Sequence, residues 1–212
     1  DQLSEEDRRE FLGVANSETD RLTRLVNDVL DLSRLESNRV VQFSPVDLRP
    51  GLEQTLRSYQ LNASDKQVDL SLEADPDLPD VLGNWDLILQ VLDNLVGNAL
   101  KFSRSGGRLM IRAYTWPDSC QMAPMEADSS MTDGPTCILS SPLPKIRVEV
   151  CDTGYGISEE SQQRIFERFY RVENAVHTEV GTGLGLSIVR GILEKHGSRI
   201  CMASELEVGT TF

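Results

Sequence analysis

The spacing of the apolar residues changes character once along this 212-residue chain, and that change constrains the fold more than any other feature. From Phe11 to Leu32 the apolar positions step by fours and threes, through Phe11, Ala15, Leu22, Leu25, Val29 and Leu32, with Glu18 interrupting. Such spacing lays a stripe along one side of a helix. Val14, Val26 and Leu30 widen the stripe beyond a two-stranded seam, which predicts a helix packed in an antiparallel hairpin or four-helix bundle. No partner helix for it is expected within this sequence. The stripe breaks between Ser37 and Pro45, and Pro45 with Pro50 marks a hinge into a second unit. The expected division is a bundle helix over 1–37, a linker over 38–45 and a larger domain over 46–212.

The larger domain mixes both periods. A helix is expected near Leu52–Ala63, a strand around Val68–Leu72, turns at Asp75-Pro76-Asp77 and Leu78-Pro79, then a strong helix over Asp86–Phe102. Alternation at Leu109, Ile111, Ala113 and at Ile146, Val148, Val150 predicts two neighbouring strands. Between them, 114–144 holds five prolines and no periodicity, so it is read as an insertion in a hairpin. A short helix near Ser158–Glu167, an irregular stretch to Val180, a glycine cluster, an apolar helix over Leu184–Lys195 and strands at Arg199–Ala203 and Thr210–Phe212 complete the reading. The fold class is α/β: a two-layer sandwich with a mixed sheet covered by helices on one face, preceded by the bundle helix.

Charge narrows the partners. A net charge of −13 would repel a polyphosphate surface, so nucleic acid and anionic lipid are not expected as ligands. A small anion can still bind where donors converge. No apolar run approaches the roughly 18 residues that span a membrane, and the first residues show no signal-peptide pattern. Cys120, Cys137, Cys151 and Cys201 form no C-x-x-C pair, which points to unpaired thiols in a reducing, cytoplasmic compartment.

Three local patterns carry chemistry. Asn94, Asn98 and Lys101 stand at i, i+4 and i+7 of the Asp86–Phe102 helix, opposite the apolar face Leu87, Val91, Leu92, Leu95, Val96 and Leu100. Carboxamide oxygens suit Mg²⁺ and an ammonium suits a phosphate, although the triplet alone equally fits a solvated face. Asp152-Thr-Gly-Tyr-Gly-Ile follows an apolar strand; a carboxylate fixed there can accept from an exocyclic amine, with an ordinary capped turn as the alternative. Gly181-Thr-Gly-Leu-Gly-Leu precedes an apolar helix, where backbone N–H groups can meet a phosphate. A dinucleotide fingerprint is excluded, because no clear strand precedes the run and its spacing is G-x-G-x-G.

Taken in order, Asn94/Asn98/Lys101, Asp152-x-Gly-x-Gly, Ile165-Phe-Glu-Arg-Phe-Tyr-Arg and Gly181-x-Gly-x-Gly resemble the N, G1, F and G2 boxes of two-component sensor histidine kinases. The closing Gly209-Thr-Thr-Phe matches the family's last strand, and 11–36 looks like the second helix of its dimerisation and phosphotransfer hairpin. Among these kinases the chain is similar to a cyanobacterial type. The resemblance implies a Bergerat ATP-binding fold and a kinase that moves the γ-phosphoryl group of ATP to a histidine, and thence to an aspartate of a response regulator.

Carried over to this sequence, the resemblance implies that Asp152 binds the adenine amino group with support from Thr210, and that Phe102 covers the ring. Gly154, Gly156 and Ile157 line that end. Asn98, helped by Asn94, would hold Mg²⁺ against the phosphates of ATP or ADP. Lys101, Arg171, Gly181, Thr182, Gly183, Leu184, Gly185 and Leu186 would steady the phosphate chain, with Asn94, Lys101 and Arg171 as phosphate-positioning candidates. A lid over roughly Arg171–Thr182 would be anchored by Phe166 and Phe169. The resemblance further implies a homodimer through the bundle helix and a cytoplasmic place in a membrane-anchored bacterial sensor. Neither His177 nor His196 is expected to accept phosphate, and the acceptor is expected on a helix that precedes this sequence. His196, beside Gly197 at a helix end, is read in a cap or helix-dipole role. The related gyrase, Hsp90 and MutL ATPases use a glutamate to activate water; here that position is Asn94, which favours transfer over hydrolysis. A non-enzymatic scaffold remains the other alternative.

Overall fold

The computed structural model describes residues 4–37, 41–116, 145–172 and 181–212. Its first element is a long helix α1 (Glu5–Glu36). After it come strand β1 (Ser44–Val46), α2 (Leu48–Asp65), β2 (Asp69–Ala74), β3 (Val81–Gly83), α3 (Trp85–Phe102), β4 (Arg108–Trp116) and β5 (Lys145–Asp152). A single turn α4 (Glu159–Gln162), α5 (Gly185–Lys195), β6 (Ala203–Glu205) and β7 (Gly209–Thr211) follow.

The larger helices start where side chains can supply the missing acceptors. Asp47 caps α2 by accepting from the Arg49 N–H at 2.9 Å, and Asn84 caps α3 by accepting from the Leu87 N–H at 3.1 Å. Beyond Phe102, Ser103 has extended backbone and its hydroxyl donates to Ala99 O, so α3 ends there.

Five strands form one sheet in the order β2-β4-β5-β7-β6, and β1 pairs with β3 in a separate antiparallel ribbon. Among the described strands of this sheet only β2 and β4 run parallel, so the sheet is mixed. In β4 the residues Leu109, Ile111 and Ala113 are buried while Arg112 is exposed, the alternation of a sheet covered on one side. Val150 of β5 joins that buried face, with Val91, Leu92, Leu95 and Val96 of α3, Leu52 of α2 and Ile188, Val189 and Ile192 of α5 packed over it. This is the expected two-layer sandwich.

Several boundaries move. β4 continues through Tyr114, paired with Arg147, to Trp116 paired with Lys145, so the segment read as insertion from 114 starts in a strand; 117–144, with Cys120 and Cys137, lies outside the described residues. Cys151 and Cys201 are free thiols. The helix expected over Ser158–Glu167 is four residues long and breaks into turns tied by Arg164 N–H to Ser161 O and Glu167 N–H to Arg164 O. The strand expected at Arg199–Ala203 forms instead at Ala203–Glu205, because its register is set by β7, with Ser204 opposite Thr210.

The stripe on α1 divides between two faces. Leu25, Leu32 and Leu35 pack against the sandwich core. Phe11, Leu12, Val14, Leu22, Val26, Val29 and Leu30 remain exposed. Among the described residues no helix is long and apolar enough to cross a membrane.

Candidate functional site

The end of β5, the C-terminal half of α3, the start of α5 and the β6–β7 turn converge on one side of the sandwich. Asp152 is the last residue of β5 and opposes Thr210 of β7. Its carboxylate accepts from the Gly154 N–H at 2.8 Å and from the Thr210 backbone N–H. Burial pushes the Asp152 carboxyl above the usual carboxylate range, and those two donors pull it partly back. The expected support from Thr210 therefore comes from its amide. Its buried hydroxyl lies 2.8 Å from Ser204 Oγ.

The loop after Asp152 is held by close backbone approaches. A Cβ at Gly154 would sit 2.3 Å from Phe102 O, and the Tyr155 N–H donates to that same carbonyl at 3.3 Å. Gly156 adopts φ +67, and a Cβ there would overlap Glu205 O at 1.9 Å. The Ile157 N–H donates to Ser204 Oγ at 2.9 Å, and Gln162 Nε2 bridges Ile157 O and Ser204 O. Ser204 thus ties this loop to the last hairpin. Arg104 lies 4.7 Å from the Tyr155 ring centroid and pairs with Glu207.

Along α3, Asn94 and Asn98 face the glycine run. A Cβ at Gly185 would lie 2.6 Å from Asn94 Oδ1 and 3.9 Å from Asn98 Nδ2. Asn94 Nδ2 donates to Gln90 O at 2.8 Å, which fixes which end of the amide points to Gly185. The Lys101 ammonium would be 3.0 Å from a Cβ at Gly181 and lies 5.0 Å from the Phe102 ring centroid. Phe102, the last residue of α3, is 40% exposed. Lys66 fastens this end of α3, its ammonium donating to Leu100 O at 3.0 Å and Lys101 O at 2.6 Å.

Leu184 is the buried N-cap of α5, and its apolar side chain makes no cap hydrogen bond. The first N–H groups of α5, around Gly185 and Leu186, thus stand beside Asn94 and Asn98 with the positive end of the helix dipole. Gly183 O accepts from the Phe169 N–H at 2.9 Å, which ties the glycine turn to the segment around Phe169. Thr182 lies on the same turn.

The structure therefore brings together the residues that the ordered boxes single out, from Asp152, Gly154, Gly156, Ile157 and Thr210 at one end to Asn94, Asn98, Lys101 and Gly181–Leu186 at the other. Arg171 is exposed at the edge of the described residues, and 173–180, including His177, lies outside them. The two expected lid anchors differ. Phe166 is half-buried, edge-on to Phe212 with ring centroids 6.4 Å apart, whereas Phe169 is 62% exposed and is held through its backbone with φ +62. Ser204, Gln162, Gln90 and Lys66 are absent from the sequence reading, because a lone polar residue inside an element gives no periodic signal.

His196 caps α5 as expected, and its ring does more. Nδ1 lies 2.8 Å from Ile192 O, and Nε2 accepts from the Asn84 N–H at 3.1 Å, joining the end of α5 to the start of α3. The Phe43 ring meets it edge-on, with centroids 4.9 Å apart.

No group of three or more His, Cys, Asp or Glu side chains converges on a metal-sized space among the described residues. Asn94 and Asn98 are hard oxygen donors that suit Mg²⁺ when phosphate oxygens complete its shell.

Two families match the sequence. The one described as Histidine kinase-, DNA gyrase B-, and HSP90-like ATPase covers residues 83–212, and His Kinase A (phospho-acceptor) domain covers 1–38. Drug sensory protein A of Synechocystis sp. is 56% identical over 210 residues, which is 99% of this chain and 29% of that protein. The uncharacterized sensor-like histidine kinase ycf26 of Pyropia yezoensis is 50% identical over 212 residues, all of this chain and 30% of that one. The chain thus spans under a third of the length of these curated relatives. Among solved structures, full-length ShkA in complex with AMPPNP superposes with a TM-score of 0.74 at 26% identity, over 100% of this chain and 39% of that one.

Proposed function

The chain belongs to the sensor histidine kinase family, and from that premise we propose that it binds Mg·ATP and delivers the γ-phosphoryl group to a histidine outside its own sequence, for relay to a response-regulator aspartate. The observation that carries this reading is the pairing of a fixed acceptor with uncapped donors across one site. Asp152, oriented by the Gly154 and Thr210 amides, accepts from the adenine amine. At the other end the uncapped start of α5 and the Lys101 ammonium take the phosphates. Phe102 covers the ring, and Gly156 and Ile157 hold its edge. The AMPPNP complex of ShkA supports a nucleotide in this fold.

Phosphoryl transfer asks mainly for alignment and neutralised charge around the γ-phosphate. Mg²⁺, held by Asn98 and Asn94, would supply positive charge against the phosphate oxygens. Asn94 has no carboxylate to take a proton from water, and its amide is already committed to Gln90 O. Hydrolysis is thereby disfavoured, and the phosphoryl group waits for another nucleophile. The exposed apolar face of α1, Leu22, Val26, Val29 and Leu30, pairs with a second copy in the intact protein, and the chain works as the cytoplasmic part of a membrane-anchored sensor.

The test is a labelling experiment. The chain, joined to the segment that precedes it in the intact protein, is incubated with γ-labelled ATP and Mg²⁺, and the protein-bound phosphate is tested for lability in acid and stability in base. Acid-labile, base-stable phosphate is expected; release of inorganic phosphate with no labelled protein would move the assignment to an ATPase.

A further inference from the structure

α1 reaches into the site described above. Its Asp28 carboxylate accepts from Thr182 Oγ1 at 2.5 Å, and that hydroxyl oxygen in turn accepts from the Leu184 N–H at 3.3 Å. One hydroxyl therefore separates the Asp28 charge from the amide of Leu184, the N-cap of α5. Three residues on, Asp31 Oδ2 accepts from Gln90 Nε2 at 2.6 Å, and Gln90 is the residue whose carbonyl orients Asn94. The same face of α1 stays docked beyond this point. Leu35 lies against Gly191, Glu36 pairs with Arg168, and Ser37 O accepts from Lys195 Nζ at 3.3 Å.

We propose that Asp28 is an affinity-determining residue of the nucleotide site, a carboxylate carried by α1 that competes with the phosphate chain for the Thr182 turn and the start of α5. The physical ground is that both are anions drawn to one positive helix end. Leu184 brings no side-chain cap to α5, so the Asp28 charge is favoured there while the site holds no anion. A triphosphate at the same turn meets that charge well within the roughly 8 Å over which salt at 0.15 M screens it. Nucleotide binding and the docking of α1 are therefore antagonistic, and the coupling acts equally in both directions. The inference rests on the nucleotide-binding reading and adds the source of its regulation: the position of α1 sets how tightly phosphate is held.

The test is calorimetric titration of wild-type chain, Asp28→Asn and Asp20→Asn with ATP and, separately, with adenosine, at low and high salt. Asparagine at 28 keeps an acceptor for Thr182 and removes the charge; Asp20 is exposed on α1 and makes the same change in net charge away from the site. The expected result is ATP bound about fivefold or more tightly by Asp28→Asn at low salt, the lower range of couplings between sites. The gain should shrink as salt rises, and adenosine affinity and the Asp20→Asn variant should match wild type. Equal ATP affinity in Asp28→Asn and wild type, or an equal gain in Asp20→Asn, would overturn the proposal while leaving the nucleotide site standing. A wild-type chain that binds neither ATP nor adenosine would overturn the site reading and this inference together.

Discussion

Gly156→Ala puts a methyl group where the fold has no space for one. Its backbone has φ +67, a region that costs an alanine about 1–2 kcal/mol. The added Cβ would stand 1.9 Å from Glu205 O and 2.6 Å from Glu205 C, both backbone atoms of β6 that no rotamer change can move. Restoring contact distance requires the β6–β7 hairpin to retreat from the loop by more than an ångström, at a further cost of about 1–3 kcal/mol. The sum is about 2–5 kcal/mol. With a urea slope of about 2 kcal/mol/M, the midpoint should fall by about 1–2.5 M. Urea titration followed by far-ultraviolet circular dichroism measures this directly. Gly197→Ala is the comparison: φ is +63 there, but nothing lies within 4 Å of the added Cβ, so only the backbone cost should be seen. The hairpin also carries the Thr210 amide on Asp152, so nucleotide affinity should fall with Gly156→Ala and stay near wild type with Gly197→Ala. A Gly156→Ala variant no less stable than Gly197→Ala would refute the steric argument.

Two further outcomes follow from the same geometry. Because burial holds the folded Asp152 carboxyl above its unfolded value, the folded chain keeps that proton to higher pH, so this residue favours the fold at acid pH and the advantage is lost as pH rises through the raised value. Adenosine binding, for which the ionised carboxylate is the stronger acceptor, should accordingly weaken on acidification beginning above the ordinary carboxylate range; calorimetry across that range checks it, and an onset at or below the ordinary range would contradict it. His196→Ala strands the Asn84 N–H, removes the ring nitrogen from Ile192 O, which keeps the backbone N–H of residue 196, and removes an aromatic edge contact, which together should cost about 2–4 kcal/mol in urea unfolding, with a loss under 1 kcal/mol as the contrary result.

Those expectations depend on which parts of the molecule the sequence made legible. α3 and the β4–β5 pair were readable to within a few residues, because their apolar periods are long and their buried faces continuous. β1 was missed: it is three residues long and contains Pro45, which reads as a hinge yet sits in a two-stranded ribbon against Leu82. β6 was displaced because pairing with β7 across the turn at Glu207 fixed it, while the apolar residues Ile200 and Met202 drew the reading towards the earlier stretch. On α1, Leu25 and Leu32 turn to the sandwich while Leu22 and Val29 turn to solvent; all four are apolar, so spacing alone could not separate a face that meets the sandwich from one that meets another helix. The site followed the same rule. Asp152, the asparagines and the glycines stand in compact local patterns, whereas Asp28 and Ser204 acquire meaning only from residues 154 and six positions away.

The central claim, that this chain holds a nucleotide through Asp152, is tested most directly by calorimetric titration with ADP and ATP, with and without Mg²⁺, beside Asp152→Asn. The account predicts binding that tightens with Mg²⁺ and weakens by about 10- to 100-fold in the variant, the worth of a hydrogen bond to a charged acceptor. No binding by a folded wild-type chain, or binding indifferent to Asp152, would contradict it.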